Sequence, residues 1–136
     1  MSQAKVPPEL RALAEATYDA LNAGDIDRFL ALMAEDVEFT SLIAEAEGAS
    51  FRGREGVRAW WETVVSSFQD VRWEVLELIG GADGRGVMHL RIVGMLGGVP
   101  VEQKMWQATT VRDGKVTWWA LFRTKREALE AGGLSE

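Results

Sequence analysis

The chain has 136 residues, of which 47% are hydrophobic, and carries a formal net charge of -6 at pH 7. It has no cysteine, which excludes disulfides, thiolate metal sites and thiol nucleophiles. The acidic balance, with no basic run longer than Lys125-Arg126, argues against a nucleic-acid partner.

Two amphipathic helices are predicted near the N-terminus. Pro7 and Pro8 can start the first helix, and Gly24 can end it with a left-handed backbone. Asp25 is placed to cap the second helix. The buried face of the first helix should comprise Leu10, Leu13, Ala14, Thr17, Tyr18 and Leu21, and that of the second Ile26, Phe29, Leu30 and Met33.

A third amphipathic helix is predicted after Gly53 and Gly56. Its apolar stripe comprises Val57, Trp60, Trp61, Val64, Val65 and Phe68.

The spacing of apolar residues then changes and predicts four strands with short turns, which form an antiparallel meander. The strands are expected near Val71–Ile79, Gly86–Leu96, Val101–Val111 and Lys115–Arg123. Thr124 and Glu127 fit a capping box for a short last helix that ends at Gly132-Gly133.

These features predict one domain over residues 1–136, with an ordered core of about 8–131. No apolar run approaches the roughly 20 residues of a membrane helix, and the N-terminus lacks a signal-peptide core, so a cytoplasmic location without membrane contact is expected. His89 is the single histidine and has no second imidazole to share a zinc ion, so neither a metal nor a cofactor is expected.

The order of elements resembles the SnoaL-like branch of the nuclear transport factor two-like superfamily. The segments that carry the resemblance are LNAGDIDRFLALMAEDVEF, FRGREGVRAWWE and VRDGKVTWWALFRTKREALEAGGL. The resemblance implies an α+β fold: a cone-shaped roll of three N-terminal helices on a strongly curved, mainly antiparallel sheet, with a short C-terminal helix. It also implies an apolar cavity and dimerisation through the outer face of the sheet. Members include steroid isomerases, polyketide cyclases, epoxide hydrolases, dehydratases and binding modules.

The catalytic groups that this resemblance implies are not found at the matching positions. The general-base aspartate of the steroid isomerase pattern aligns with Ser41, and its oxyanion-hole tyrosine and aspartate align with Thr17 and Gln107. Tyr18 is one residue away from the expected position, so we expect its side chain to point elsewhere. The Asp-Arg-Asp set of the epoxide hydrolase pattern is also missing.

Strand alternation predicts which side chains face the cavity. His89 and Arg91 should point away from it, although a one-residue slip at Gly97-Gly98 would turn them inward. Matching residues across the Gly114-Lys115 turn places Gln103, Met105, Gln107, Thr109, Trp118, Ala120 and Phe122 inside. The predicted ligand-binding residues are Thr17, Tyr18, Phe39, Ser41, Trp60, Trp61, Gln103, Met105, Gln107, Trp118 and Phe122.

The same register predicts an apolar outer face that is suited to a homodimer. Its predicted residues are Arg91, Lys104, Trp106, Trp119 and Leu121. The alternative is that a terminal helix covers these side chains within one subunit.

Three functions remain open. The first is binding of a small hydrophobic metabolite. The second is cofactor-free isomerase, cyclase, dehydratase or hydrolase chemistry on a polyketide-like or terpenoid-like substrate, with Glu45 or Glu47 as base, or His89 as a weaker candidate, and Gln107 or Thr17 stabilising charge. The third is recruitment of a protein partner through Trp106 and Trp119.

Overall fold

The computed structural model describes residues 6–40, 50–63, 65–80 and 84–134. The helices in those residues are α1 (Pro8–Ala23), α2 (Ile26–Ala31), α3 (Gly53–Thr63) and α4 (Lys125–Gly132), with a 3-10 turn at Val65–Ser67. The strands are β1 (Met33–Thr40), β2 (Ser50–Arg52), β3 (Phe68–Gly80), β4 (Arg85–Leu96), β5 (Val99–Arg112) and β6 (Lys115–Phe122).

The strands form one sheet in the order β2-β1-β6-β5-β4-β3. β1 runs parallel to β6, and every other pairing is antiparallel. The predicted α+β class and the meander from β3 to β6 are therefore confirmed, whereas the short edge strand β2 was not predicted. Within the described ranges, no helix is long and apolar enough to cross a membrane.

The predicted ends of α1 and the start of α2 are confirmed. Pro8 lies in the first turn of α1, and Gly24 follows its last residue with a φ of 71°. The Asp25 side chain accepts a hydrogen bond from the Arg28 backbone N–H at 3.1 Å. One boundary was wrong: Met33 is the first residue of β1 rather than part of α2.

The stripe predicted for α3 is divided between three elements. Val57 and Trp60 are buried on α3, but the helix ends at Thr63. Val65 belongs to the 3-10 turn and Phe68 begins β3. Val64 lies outside the described residues. The spacing predicted an apolar face correctly and placed the end of the helix too late, since helix ends are defined by caps rather than by apolar period.

The core between the helices and the sheet is rich in aromatic rings. Trp60 has no exposed surface. Its ring centroid lies 4.8 Å from that of Phe39 and 5.4 Å from that of Trp119, both in edge-to-face geometry. Phe29 and Trp73 complete the surroundings at 6.4 and 6.1 Å. This cluster joins α2, α3 and both halves of the sheet.

A β-bulge at Thr117 reverses the predicted orientation of β6. Val111 pairs with Val116, but Thr110 pairs with Trp118, so Thr117 is one extra residue in β6. The Thr117 hydroxyl donates to the Thr110 carbonyl at 3.1 Å. Directly paired residues share a face of the sheet. Every later residue of β6 therefore turns to the face opposite to the predicted one.

The prediction that Trp118, Ala120 and Phe122 face the helices was therefore wrong, as was the prediction that Trp119 and Leu121 face outward. Trp119 and Leu121 are 2% and 3% exposed and belong to the main core. Trp118 and Phe122 instead pack on the other face, around a second cluster that contains Ala128 and Leu129 of α4.

The α4 helix thus covers part of the outer face, as the alternative to the dimer face predicted. The N-cap half of the predicted capping box is confirmed, because the Thr124 hydroxyl accepts from the Glu127 N–H at 3.2 Å. The Glu127 carboxylate accepts from the Thr124 hydroxyl, at 3.1 Å, and not from the Thr124 backbone N–H as a full capping box requires. The Trp106 ring is half-buried here; the His89 ring stacks on it with centroids 4.1 Å apart, and the Lys125 ammonium lies 5.6 Å from its centroid.

Candidate functional site

An apolar recess lies between α1 and the inner face of the sheet. Its walls combine one face of α1 with side chains from α2, β1, β4, β5 and β6. The lining residues are Leu10, Leu13, Ala14, Thr17, Tyr18, Leu21, Phe29, Met33, Met88, Gln107, Thr109, Val111, Val116 and Trp119. Within this described lining there is no Asp, Glu, Lys, Arg or His. The recess is thus suited to uncharged groups.

A hydrogen bond between Tyr18 and Gln107 joins α1 to β5 across this recess. The Tyr18 hydroxyl donates to Gln107 Oε1 at 2.5 Å, and the two residues are 5% and 4% exposed. The expectation that Tyr18 points elsewhere was wrong. Thr17 and Tyr18 both reach the recess, since the face of α1 that packs on the sheet is wide enough to hold two adjacent residues.

Burial raises the pKa of the Tyr18 phenol well above its usual value, although the hydrogen bond to Gln107 acts in the opposite direction. The phenol is therefore neutral at physiological pH and is a permanent hydrogen-bond donor. Its proton is donated to Gln107, so the pair of side chains forms a fixed polar group in the apolar recess.

Tyr18 is the single tyrosine of the chain, so its ionisation can be followed without interference. Above about pH 10 the unfolded chain loses its phenol proton while the native state keeps it, so stability should fall as pH rises. We expect tyrosinate absorbance to appear only together with the loss of circular dichroism in an alkaline titration. The Tyr18→Phe variant should unfold at a higher pH. Tyrosinate formed in a chain that is still folded would contradict this prediction.

Three other polar side chains line the recess. The Thr17 hydroxyl donates to the Leu13 carbonyl at 2.7 Å, and the Thr109 hydroxyl donates to the Trp118 carbonyl at 3.1 Å. Both hydroxyls are thus already used as donors. Trp119 differs, because its buried indole N–H has no hydrogen-bond partner within the described chain.

The recess is much smaller than the ligand cavity predicted from the sequence. Only about 20 Å³ is open to the centre of a water-sized sphere, which is room for roughly one water molecule. Molecule-sized sites enclose about 300 to 1,000 Å³. Strand alternation and composition do not show how closely α1 packs on the sheet, and side chains of both fill most of the space between them. A ligand can therefore bind only if the walls of the recess move apart.

The other residues predicted to bind a ligand lie in several places. Met105, Phe39 and Trp60 are buried in the main core and do not line the recess. Trp61 is half-buried with its ring 5.2 Å from that of Phe29, and Gln103 is exposed on β5. Trp118 and Phe122 lie on the outer face, as the bulge explains.

Of the three candidate general bases, the described residues contain His89. Ser41, Glu45 and Glu47 lie outside the described residues. His89 is described and lies on the outer face, as predicted, opposite to the recess; the slip that would turn it inward does not occur. No cluster of three or more His, Asp or Glu side chains suited to a metal occurs in the described ranges.

The predicted dimer face loses two of its members, since Trp119 and Leu121 are in the core. Arg91 remains on the outer face and pairs with Glu102 at 2.8 Å and with Glu74 at 3.1 Å. Lys104 is exposed beside it, and Trp106 is half-buried near α4. Contact of these three residues with a second copy stays a prediction.

Sequence reasoning missed Trp119, Met33 and Met88 as residues of the recess. Met88 is adjacent to His89 on β4 and so lies on the opposite face of the sheet, but its place in the recess depends on how closely α1 approaches β4. Trp119 was assigned to the wrong face, and the one signal for the bulge was the threonine pair Thr110 and Thr117, whose hydroxyl oxygens lie 2.7 Å apart.

The sequence matches the family model of the SnoaL-like domain over residues 14–119. The chain therefore belongs to the SnoaL-like domain family, which confirms the resemblance. A search of curated protein sequences gave no match.

Solved structures with this fold include three that are informative. RV0760c from Mycobacterium tuberculosis superposes with a TM-score of 0.75 at 18% identity, covering 87% of this chain and 92% of that one. TerC, co-crystallised with polyporic acid, gives 0.73 at 22% identity, with coverage of 90% and 96%. The Δ5-3-ketosteroid isomerase from Mycobacterium sp. gives 0.71 at 16% identity, with coverage of 88% and 95%. At these identities the likeness establishes the fold alone.

Proposed function

We propose that this chain binds a small, uncharged, mainly apolar molecule between α1 and the sheet, beside Tyr18 and Gln107. The observation that carries the proposal is the buried hydrogen bond between these two side chains in an otherwise apolar, uncharged recess. A few fixed polar groups within an apolar lining are typical of small-molecule sites.

Two structural neighbours support a ring framework for the ligand. RV0760c has been crystallised in complex with estradiol-17β-hemisuccinate, and TerC with polyporic acid. Both ligands have a ring framework that carries oxygen atoms. A comparable ligand here would place its rings against the aliphatic wall and an oxygen near the Tyr18–Gln107 pair.

Binding requires the recess to widen, and its lining contains side chains suited to that. Met33 and Met88 have unbranched, flexible side chains that adapt to irregular shapes. Leu10 and Leu13 also line the recess, and they lie in the first turns of α1. A shift of those turns away from β4 would enlarge the recess without breaking the Tyr18–Gln107 hydrogen bond.

The proposal is tested with two uncharged ring compounds, estradiol and estrone, as probes; binding is followed by tryptophan fluorescence, and freshly purified protein is examined by native mass spectrometry. We expect saturable binding and a retained small molecule. Gln107→Leu should weaken binding about tenfold. It removes the side-chain amide, which is the polar group beside the ligand, and keeps a side chain of similar volume.

Gln103→Leu is the matched control, because Gln103 lies on the same strand but is exposed and does not line the recess. Its effect on affinity should stay within about twofold. Equal effects of the two substitutions would contradict the assignment of the site to Gln107. The proposed function would be contradicted if native mass spectrometry gave only the mass of the protein, with no retained small molecule, and neither probe bound.

A second candidate is cofactor-free catalysis by an isomerase, cyclase, dehydratase or hydrolase. The neutral Tyr18 phenol favours it, because a phenol that exchanges its hydrogen bond to Gln107 for one to a substrate oxygen can stabilise negative charge there. The base would be Glu45 or Glu47. A model proton abstraction that is unaffected by Glu45→Gln and Glu47→Gln over a range of pH would exclude this version.

A further inference from the structure

Among the side chains of the described recess lining, the indole N–H of Trp119 is the one polar group that is buried without a hydrogen-bond partner. An indole nitrogen can only donate, so it cannot be satisfied by a donor on the ligand. A buried donor without a partner is destabilising, and native proteins retain few of them. Such a group in the wall of a proposed binding site requires an explanation.

The Trp119 ring is held in place on several sides. Its face stacks on Phe39 with centroids 3.6 Å apart and planes 14° apart. The rings of Trp60 and Phe29 contact it in edge-to-face geometry at 5.4 and 6.1 Å. The N–H therefore cannot swing toward a new partner without disturbing the aromatic core, so the partner must come to it.

The groups near the recess favour an acceptor on the ligand over a donor. The Tyr18 hydroxyl, Thr17 and Thr109 already donate within the chain. Gln107 Oε1, the one side-chain carbonyl of the described lining, is already an acceptor for Tyr18. The Trp119 N–H is thus a free donor in a recess without charged side chains, which suits a neutral carbonyl oxygen better than a carboxylate.

We infer that Trp119 is a specificity-determining residue, whose indole N–H donates to a ketone or quinone oxygen of an uncharged ring compound. The inference rests on the proposed function and narrows it to ligands that carry a neutral carbonyl. It also assigns a role to the bulge at Thr117, since the bulge turns Trp119 toward the recess instead of toward the outer face.

The probes for this inference are 1-indanone and indane, which share a two-ring skeleton and differ by one carbonyl oxygen. The indole N–H resonances of the ¹⁵N-labelled full chain are assigned for Trp119 and Trp73 by Trp119→Phe and Trp73→Phe. We expect 1-indanone to shift the Trp119 N–H resonance downfield and indane not to do so. The aromatic ring is common to both probes and cancels in this comparison.

Trp73 provides the matched control. Its indole N–H is also buried without a hydrogen-bond partner in the described chain, but Trp73 does not line the recess. Trp119→Phe should weaken binding of 1-indanone relative to indane, so that the ratio of their dissociation constants changes by about threefold to tenfold. Trp73→Phe should leave that ratio within about twofold of the wild type.

The two proposals fail in different ways. Binding of both probes with the same response of the Trp119 resonance would contradict the role of Trp119 and leave the proposed function standing. Binding of neither probe would contradict the proposed function for small ring compounds, and this inference with it. The indole resonances of the unsubstituted chain can also be assigned by triple-resonance experiments, so this measurement does not depend on whether Trp119→Phe folds.

Discussion

Trp60→Ala is expected to lower the free energy of unfolding by about 3 to 5 kcal/mol, which is typical of removing a large aromatic side chain from a core. Trp60 has no exposed surface and contacts four other aromatic rings of the core. Its neighbours come from different elements and cannot collapse together to fill the space. Chemical denaturation followed by circular dichroism measures the change.

The adjacent Trp61 is the matched control, because it lies on the same helix and is only half-buried. Stabilisation by apolar burial scales with the area removed from water, so Trp61→Ala should lose roughly half as much stability. Equal losses for the two variants would show that the burial of Trp60 is not what holds α3 against the sheet. Both tryptophans were predicted to bind a ligand. A large loss of stability for Trp60→Ala alone would show that Trp60 acts as a core residue.

Local sequence signals predicted most of the fold. Gly24, Asp25, Thr124 and Gly133 define helix ends through contacts with residues three or four positions away, so their effect can be read directly from the chain. The glycine-containing turns defined the meander in the same way. Features that depend on one residue and its near neighbours are therefore predictable.

The orientation of β6 was not predictable by counting from the turn. The Asp113-Gly114 turn allows a regular register, in which Trp118 would pair with Thr109. The extra residue at Thr117 changes this, and it depends on hydrogen bonds between two strands rather than on residues of the turn. A single bulge exchanged Trp118 and Trp119 between the two faces, and with them part of the predicted site and part of the predicted dimer surface.

The lining of the recess was predicted in part. The sequence pointed to Tyr18, Thr17 and Gln107 as groups near one cavity, and the structure brings all three to the same recess. The contact between Tyr18 and Gln107 spans 89 positions along the chain, so its existence depends on how α1 lies on β5. The volume of the recess depends on the same packing, which explains why a spacious cavity was expected and a nearly filled one is found.

Gly84→Ala is the substitution outside the core for which we expect the largest loss of stability. Gly84 has a φ of 71°, which costs a residue with a side chain about 1 to 2 kcal/mol. A Cβ atom there would also lie 2.2 Å from the Val111 carbonyl oxygen. That oxygen is fixed, because the Val111 N–H donates to the Gly84 carbonyl at 2.8 Å. Displacing the backbone should add about 1 to 3 kcal/mol.

Gly97→Ala separates the two contributions, since Gly97 has a φ of 60° and nothing within 4 Å of the added atom. It should lose only the conformational part, about 1 to 2 kcal/mol. If Gly84→Ala loses no more than Gly97→Ala, the close approach of β4 to β5 at Val111 is not fixed. Val111 lines the recess, so an adaptable backbone at this point would also allow the β5 end of the recess to open. The difference between the two alanine variants thus measures how rigid one wall of the proposed binding site is.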